Sequence, residues 1–144
     1  MSTDERGDVD YRSLAELRYA LRRFQAFSEE AAAAAGLTPQ QHQALLAIKG
    51  FADERGFSVG ALAERLMIRH NTAAELVNRL ERAGLVQRQA DAADARRVSL
   101  HLMPEGERRL RALSAVHLAE LRSVGPTLRK LIDAMPDEAP PPDH

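Results

Sequence analysis

Between Gly60 and Pro104 the spacing of apolar residues changes once, from the three-and-four rhythm of a helix face to the two-residue rhythm of a strand. That single change restricts the chain more than any other feature. Leu62, Ala63 and Leu66 carry one short helical pattern, and after an interruption at Met67 to Arg69 a second carries Ala73, Leu76, Val77, Leu80 and Ala83. Gly84 stands where a helix can end in a left-handed residue without strain, and a strand is expected to begin at Leu85 to Gln89. Ala90 to Ala95 hold only small or polar groups and suit a hairpin tip. From Arg96 to Leu102 strand alternation returns, with Val98, Leu100 and Leu102 on one face and Arg97, Ser99 and His101 on the other. Pro104 then opens another helix.

The rest of the chain supplies helices on both sides of this stretch. From Tyr11 to about Ala35, Leu14, Leu17, Leu21, Phe24, Phe27 and Ala31 keep helical spacing, and Gly36 ends the run. Thr38, Pro39 and Gln41 combine an N-cap hydroxyl, a proline at the first helical position and a glutamine at the third, so a second helix is expected from Pro39 to about Phe51. A polar loop follows, and Ser58 caps the next helix. Beyond Pro104 a helix of about twenty residues carries Leu110, Leu113, His117, Leu121 and Val124, and its rhythm resumes after Gly125-Pro126 as Leu128, Leu131, Ile132 and Met135. The first and last helices present more apolar face than a three-helix core with a hairpin covers, which points to a homodimer built from the termini. Thr72 and Glu75 have the spacing of a capping box, and Arg79 and Arg82 have acids at ion-pair spacing in Glu75 and Glu81.

Composition excludes several functions. There is no cysteine, so disulfides, thiolate zinc sites and thiol redox switches are absent. No glycine loop is built to cradle phosphate, and the five histidines are scattered, so no catalytic site, metal site or cofactor is expected. His117, on the long apolar stripe, is the one histidine worth testing as a sensor. No apolar run approaches the roughly 20 residues that span a bilayer, and the acidic start MSTDERGDVD is unlike an export signal, so a cytoplasmic protein is expected. The net charge of −1 hides an asymmetry: residues 1–10 and 133–144 together carry −7, which leaves +6 for the body. In the Gly60 to Pro104 stretch Arg65, Arg69, Arg79, Arg82, Arg88, Arg96 and Arg97 outnumber the acids, as expected for a surface that meets nucleic acid.

Three segments, GLTPQQHQALLAI at 36–48, LAERLMIRHNTAAELVNRLERAGLV at 62–86 and DARRVSLHLMPEG at 94–106, resemble the winged helix-turn-helix regulators of the MarR family, and with flanking helices the likeness spans roughly residues 11–135. The resemblance implies a mainly α (α+β) fold with a two-stranded β-wing and long N- and C-terminal dimerisation helices. It divides the chain into an acidic disordered tail (1–10), a helical dimerisation region (11–37 and 104–135), a winged-helix DNA-binding domain (38–103) and a disordered tail (136–144). It further implies a homodimeric repressor of a near-palindromic operator in double-stranded DNA, released by a small, often aromatic or phenolic, effector. Carried over by position, the DNA-binding residues are Arg69, His70, Asn71, Thr72, Glu75, Arg79, Arg96 and Arg97, with Asp94 orienting the wing arginine. No ligand-binding residue is assigned, although the arginines of the first helix and His42 are candidates. Two positions depart from the family pattern. Glu75 stands where a basic or small polar residue is common, and Met103 replaces the usual threonine cap before Pro104, a loss of about 1 kcal/mol. A constitutive regulator, an activator, or a helical interaction module without DNA are the alternative readings.

Overall fold

The computed structural model describes residues 10–94 and 96–135. The expectations for tails at 1–9 and 136–144 lie outside the described residues. The elements are α1 (Tyr11–Ala34), α2 (Pro39–Gly50), α3 (Val59–Leu66), α4 (His70–Arg82), β1 (Val86–Ala90), β2 (Val98–Leu102) and α5 (Pro104–Asp133). The chain is thus mainly helical with a two-stranded antiparallel wing, in the winged helix-turn-helix order. Among the described residues no helix is long and apolar enough to cross a membrane.

Local chemistry explains where the helices begin. Thr38 Oγ1 accepts from Gln41 N at 3.1 Å while Gln41 Oε1 accepts from Thr38 N at 3.0 Å, so the capping box at α2 forms as its sequence dictates. Ser58 Oγ accepts from Ala61 N and caps α3. Asp10, grouped with the acidic tail on sequence, instead accepts from Ser13 N and Ser13 Oγ at the start of α1, and those bonds hold its carboxyl below the ordinary carboxylate range. Gly36 and Gly84 follow helices with φ of +77° and +72°, where a β-carbon would be strained.

The described chain forms two compact units, one holding residues 29–116 and the other the terminal segments up to Ser28 and from His117. In the 29–116 unit Leu45 and Ile48 of α2, Leu62 of α3, Leu76, Val77 and Leu80 of α4, and Leu110 and Leu113 of α5 are buried in one cluster. The hairpin closes this core with Leu85, Val86 and Leu100. Met103 N donates to the Leu85 carbonyl at 2.8 Å. Gly106 fits beside that same carbonyl because a β-carbon there would lie 2.2 Å from its oxygen, which gives the glycine of the Pro-x-Gly motif its physical reason. His42 is buried in this unit as well, whereas Arg12, Arg18, Arg22 and Arg23 belong to the other.

In the terminal unit His117 of α5 lies edge-on to Phe24 and Phe27 of α1, with ring centroids 6.0 and 5.6 Å away, and its Nε2 is 2.7 Å from Ser28 Oγ. Helix α5 is one element of 30 residues; it does not pause at Gly125-Pro126, and Pro126 is taken inside it. Proline there removes one amide donor but does not end a helix whose flanking turns persist.

Candidate nucleic-acid interface

Helix α4 has two opposite sides. Ala73, Leu76, Val77 and Leu80 are buried, while His70, Asn71, Thr72, Glu75, Asn78, Arg79 and Arg82 are exposed. The apolar side has no freedom to turn outward, so its burial fixes which polar residues face solvent. The turn before it is tight. Met67 adopts a left-handed conformation at φ 57°, its N–H returns to the end of α3, and Ile68 N donates to the Ala63 carbonyl at 3.0 Å. Ile68 packs against the core and the chain leaves it in an extended residue, Arg69.

That geometry decides against the capping box whose spacing Thr72-x-x-Glu75 offers. The helix starts at His70, its N-cap is Arg69 without a side-chain cap, and Thr72 falls inside the first turn. Burial of Ile68 and Ala73 sets the start of the helix, and the weaker local signal loses. Thr72 N instead lies 3.0 Å from Asn71 Oδ1. The start of α4 therefore presents exposed polar side chains beside helix amides that no Ser, Thr or Asp side chain satisfies at the N-cap, a favourable arrangement for an anion.

Arg79 and Arg82 do not take up the acids that stand at ion-pair spacing to them. Glu81 does not pair with Arg79 or Arg82; it accepts from Arg88 of β1. Among the described residues, Arg69, Arg79, Arg82, Arg97 and Glu75 make no ion pair within the chain. Arg65 stacks over the ring of Phe51, with its guanidinium carbon 3.5 Å from the ring centroid. Arg65 and Arg88, counted in the basic excess of this stretch, are thus both engaged inside the protein.

The wing pairs Val86 with Leu102 through to Ala90 with Val98. Arg96 and Arg97 do not belong to the returning strand as the alternation suggested. They lie in the tip, and β2 begins at Val98, which is 42% exposed because it lies past the edge of the core. The tip is held by short polar bonds: Asp91 N donates to the Arg97 carbonyl at 2.8 Å, and Asp94 Oδ1 accepts from Arg96 N at 3.0 Å. The same Asp94 oxygen lies 3.3 Å from Arg96 Nε, and the Arg96 side chain is 94% exposed. Asp94 therefore fixes the base of a guanidinium that otherwise extends into solvent.

An open cleft of about 850 Å³ runs between this tip, the loop before α3 and the first residues of α3 and α4. Arg55, His70, Arg96, Arg97 and His101 line it. The structure thus brings His70, Arg96 and Arg97 together around one opening, with Arg69 and Asn71 next to His70 in the chain, while Glu75 and Arg79 lie further along the exposed side of α4. Two participants were not legible in the sequence. Arg55 sits in a loop read only as polar; Asp53 Oδ1 accepts from Arg55 N at 2.8 Å, and the turn passes through Gly56 at φ +81°. Gly56 abuts Ser99 of β2 so closely that an added β-carbon would be 2.5 Å from that of Ser99. The other, Asn78, lies on the exposed side of α4 outside that cleft, where its Oδ1 accepts from Arg88 Nη1 at 2.8 Å. Among the described residues no group of His, Asp and Glu is arranged to hold a metal ion.

Comparison with known proteins agrees with this architecture. A MarR family model matches residues 35–97. The chain is 32% identical over 124 residues to a putative transcriptional regulatory protein for the hcr operon of Thauera aromatica, covering 83% of this chain and 71% of that protein. It is 42% identical over 76 residues to the transcriptional regulator HosA of Escherichia coli, a match that spans 53% of this chain and 54% of the regulator. Among solved structures, a MarR family protein from Bacillus stearothermophilus is similar over 81% of this chain and 82% of its own, with a TM-score of 0.69 and 28% identity. A MepR variant of S. aureus bound to an oligodeoxyribonucleotide has the same fold over 90% of this chain and 87% of its own, with a TM-score of 0.65 and 20% identity. Helix-turn-helix, arginine-bearing wing and relatives agree, and the chain belongs to the MarR family of winged helix-turn-helix, DNA-binding transcriptional regulators rather than to any class of enzyme.

Proposed function

We propose that the protein acts as a homodimeric repressor that grips a near-palindromic operator, with α4 of each copy in a major groove and each wing tip at the flanking minor groove. The observation that carries this reading is the combination of a fully buried apolar side on α4 with an exposed side that includes Arg69, His70, Asn71, Thr72, Glu75 and Arg79, next to a tip that offers Arg96 and Arg97. The major groove admits a helix and displays a distinct donor and acceptor pattern for each base pair. Arg69 and His70, at the leading end of α4, are the base-edge candidates; Asn71 and Thr72 suit a phosphate held at the helix start; Arg79, a further two turns along, suits the backbone. Arg96 suits the narrow, negative minor groove, with Asp94 keeping its aim. Glu75 accepts hydrogen bonds only, so it favours a cytosine amino group and disfavours an approaching phosphate.

A homodimer is supported by the apolar side chains that the terminal unit leaves exposed, among them Tyr19, Leu21, Leu118, Leu121 and Ile132. Covering them with the same surface of a second copy gives two-fold symmetry, and two-fold symmetry places the half-sites about one helical turn apart. Release by a small aromatic or phenolic effector completes the proposal. Its support is the group of Phe24, Phe27 and His117 in the terminal unit, and the p-coumaroyl-CoA bound by CouR from Rhodococcus jostii, a protein of similar fold at 21% identity.

The test is a titration onto the duplex upstream of the protein's own gene at several salt concentrations. A specific complex that weakens steeply as salt rises is expected, and Arg96→Ala is expected to weaken it by roughly tenfold and to lower the salt dependence by about one phosphate contact. Binding no tighter than to random duplex would refute the repressor reading. Challenge of the preformed complex with a panel of aromatic carboxylates and phenols tests the effector, whose absence from the whole panel would leave a constitutive regulator.

A further inference from the structure

The wing and α4 are joined by one polar clamp, and it is centred on Arg88. Arg88 lies on the face of β1 that also carries the buried Val86, so a charge stands where the strand pattern would place another apolar residue. Its guanidinium Nη1 donates to Asn78 Oδ1 at 2.8 Å and to the Glu81 carboxylate, while its own amide reaches the second Glu81 oxygen at 3.4 Å. Asn78 and Glu81 are three residues apart on α4 and therefore share one side of its last turns. Both partners of the Arg88–Glu81 pair are about one-third exposed, so the pair is shielded from solvent on most of its surface.

The hairpin has a second anchor on its opposite edge, where Leu100 N donates to the Phe57 carbonyl at 2.8 Å and Gly56 lies against Ser99. Between Asp91 and Arg97 the tip bonds only to itself among the bonds described. A ribbon held at its base on two edges is aimed by those edges. Leu85, Val86 and Leu100 seat that base in the core; of the two polar anchors, one is a backbone bond and the other is the Arg88 clamp on α4.

We propose that Arg88 is a positioning residue for DNA binding: through Asn78 and Glu81 it fixes the angle between the wing and α4, so that Arg96 engages its groove while α4 occupies the neighbouring one. This rests on the DNA-binding reading of α4 and the wing. In this scheme Arg88 acts through its Nη1 and its backbone amide, both of which are directed at α4. Losing the clamp loosens the wing above its buried base, and the contact that the wing makes at the end of the lever loses most of its value.

The experiment is a double-mutant cycle at positions 88 and 96, read by equilibrium binding to a duplex selected from a random library by the wild-type protein, at a temperature well below the unfolding transition of every variant. In the wild-type background Arg96→Ala is expected to lose about tenfold in affinity; in Arg88→Ala, which is itself expected to lose about tenfold, adding Arg96→Ala is expected to lose less than a further twofold. The charge-swapped pair Glu81→Arg with Arg88→Glu is expected to recover most of the loss seen in Arg88→Glu alone. Additive losses at 88 and 96 would overturn the proposal and make Arg88 an independent contact. So would an Arg88→Glu defect that the swap does not relieve, because a phosphate-binding arginine is indifferent to residue 81. If Arg96→Ala binds as tightly as the wild type, the wing is not a DNA contact, and the reading beneath the proposal fails with it.

Discussion

The two compact units differ in how they hold themselves together. Every fully buried apolar side chain among the described residues lies between Ala32 and Leu113, within the 29–116 unit. The terminal unit has helices of ample length and correct periodicity, yet Leu14, Tyr19, Leu21, Leu118, Leu121 and Ile132 remain exposed on it. One unit encloses a core from its own sequence. The other has apolar faces without enough neighbours to cover them, and a helix with an uncovered face is stable only when something packs on it. The contrast teaches that equal amphipathic rhythm in two segments does not mean equal burial, because burial depends on how many neighbouring elements can cover the face.

The strongest way to break this comparison is to damage the core that is supposed to be self-sufficient. Leu80→Ala removes a fully buried side chain from α4 and is expected to lower stability by about 2–5 kcal/mol, seen as a lower midpoint in thermal or urea unfolding. Replacing both Leu118 and Leu121 by Glu should act differently. It should shift the monomer–dimer equilibrium toward monomer in sedimentation experiments, by roughly 1.5–3 kcal/mol for each side chain that the dimer buries, with far less effect on unfolding of a protein already held monomeric by dilution. If that double variant destabilises the diluted monomer as much as Leu80→Ala does, the terminal unit has a core of its own and the contrast is wrong.

Smaller effects sharpen the picture within the 29–116 unit. Thr38→Ala removes an observed cap and should lose about 1 kcal/mol in thermal unfolding, whereas Thr72→Ala, whose hydroxyl caps nothing, should stay within about 0.5 kcal/mol while weakening binding to the operator. Equal losses in stability would restore the capping box at Thr72. The mildest expected effect is one of pH. Glu105, in the first turn of α5, accepts from Arg108 and Arg109, and those bonds lower its carboxyl from 4.5 to about 2. A carboxyl depressed in the folded state contributes stability above its unfolded value and loses it as pH falls, so the small contribution of this exposed group should fade between about pH 4.5 and pH 2. Acid titrations of Glu105→Gln and the wild type should therefore converge toward pH 2; a constant difference across that window would remove the assignment.

How much of this could be read beforehand follows the range of each interaction. The capping box at Thr38, the cap at Ser58 and the left-handed glycine at 84 act over four residues or fewer, and the sequence alone determined them together with the winged helix-turn-helix order. Thr72-x-x-Glu75 is the instructive failure, because an equally local signal was overruled by burial of Ile68 and Ala73, which no four-residue window contains. Pro126 is a second, since a proline ends a helix only where the neighbouring turns have nothing else to support them. Only the tertiary structure decided the partners of the charges. Arg88 finds Glu81 and Asn78 across a strand and a turn, and Arg65 finds Phe51 across two elements. Gly56 meets Ser99 from a distant part of the chain, with two helices and a strand between them. An arginine has five donors and a long stem, so its composition says that it will bond and only the folded geometry says to what. The sequence therefore determined which elements form and in what order; tertiary packing decided which of their faces are covered, and which arginines are engaged within the protein and which are left without an ion pair among the described residues.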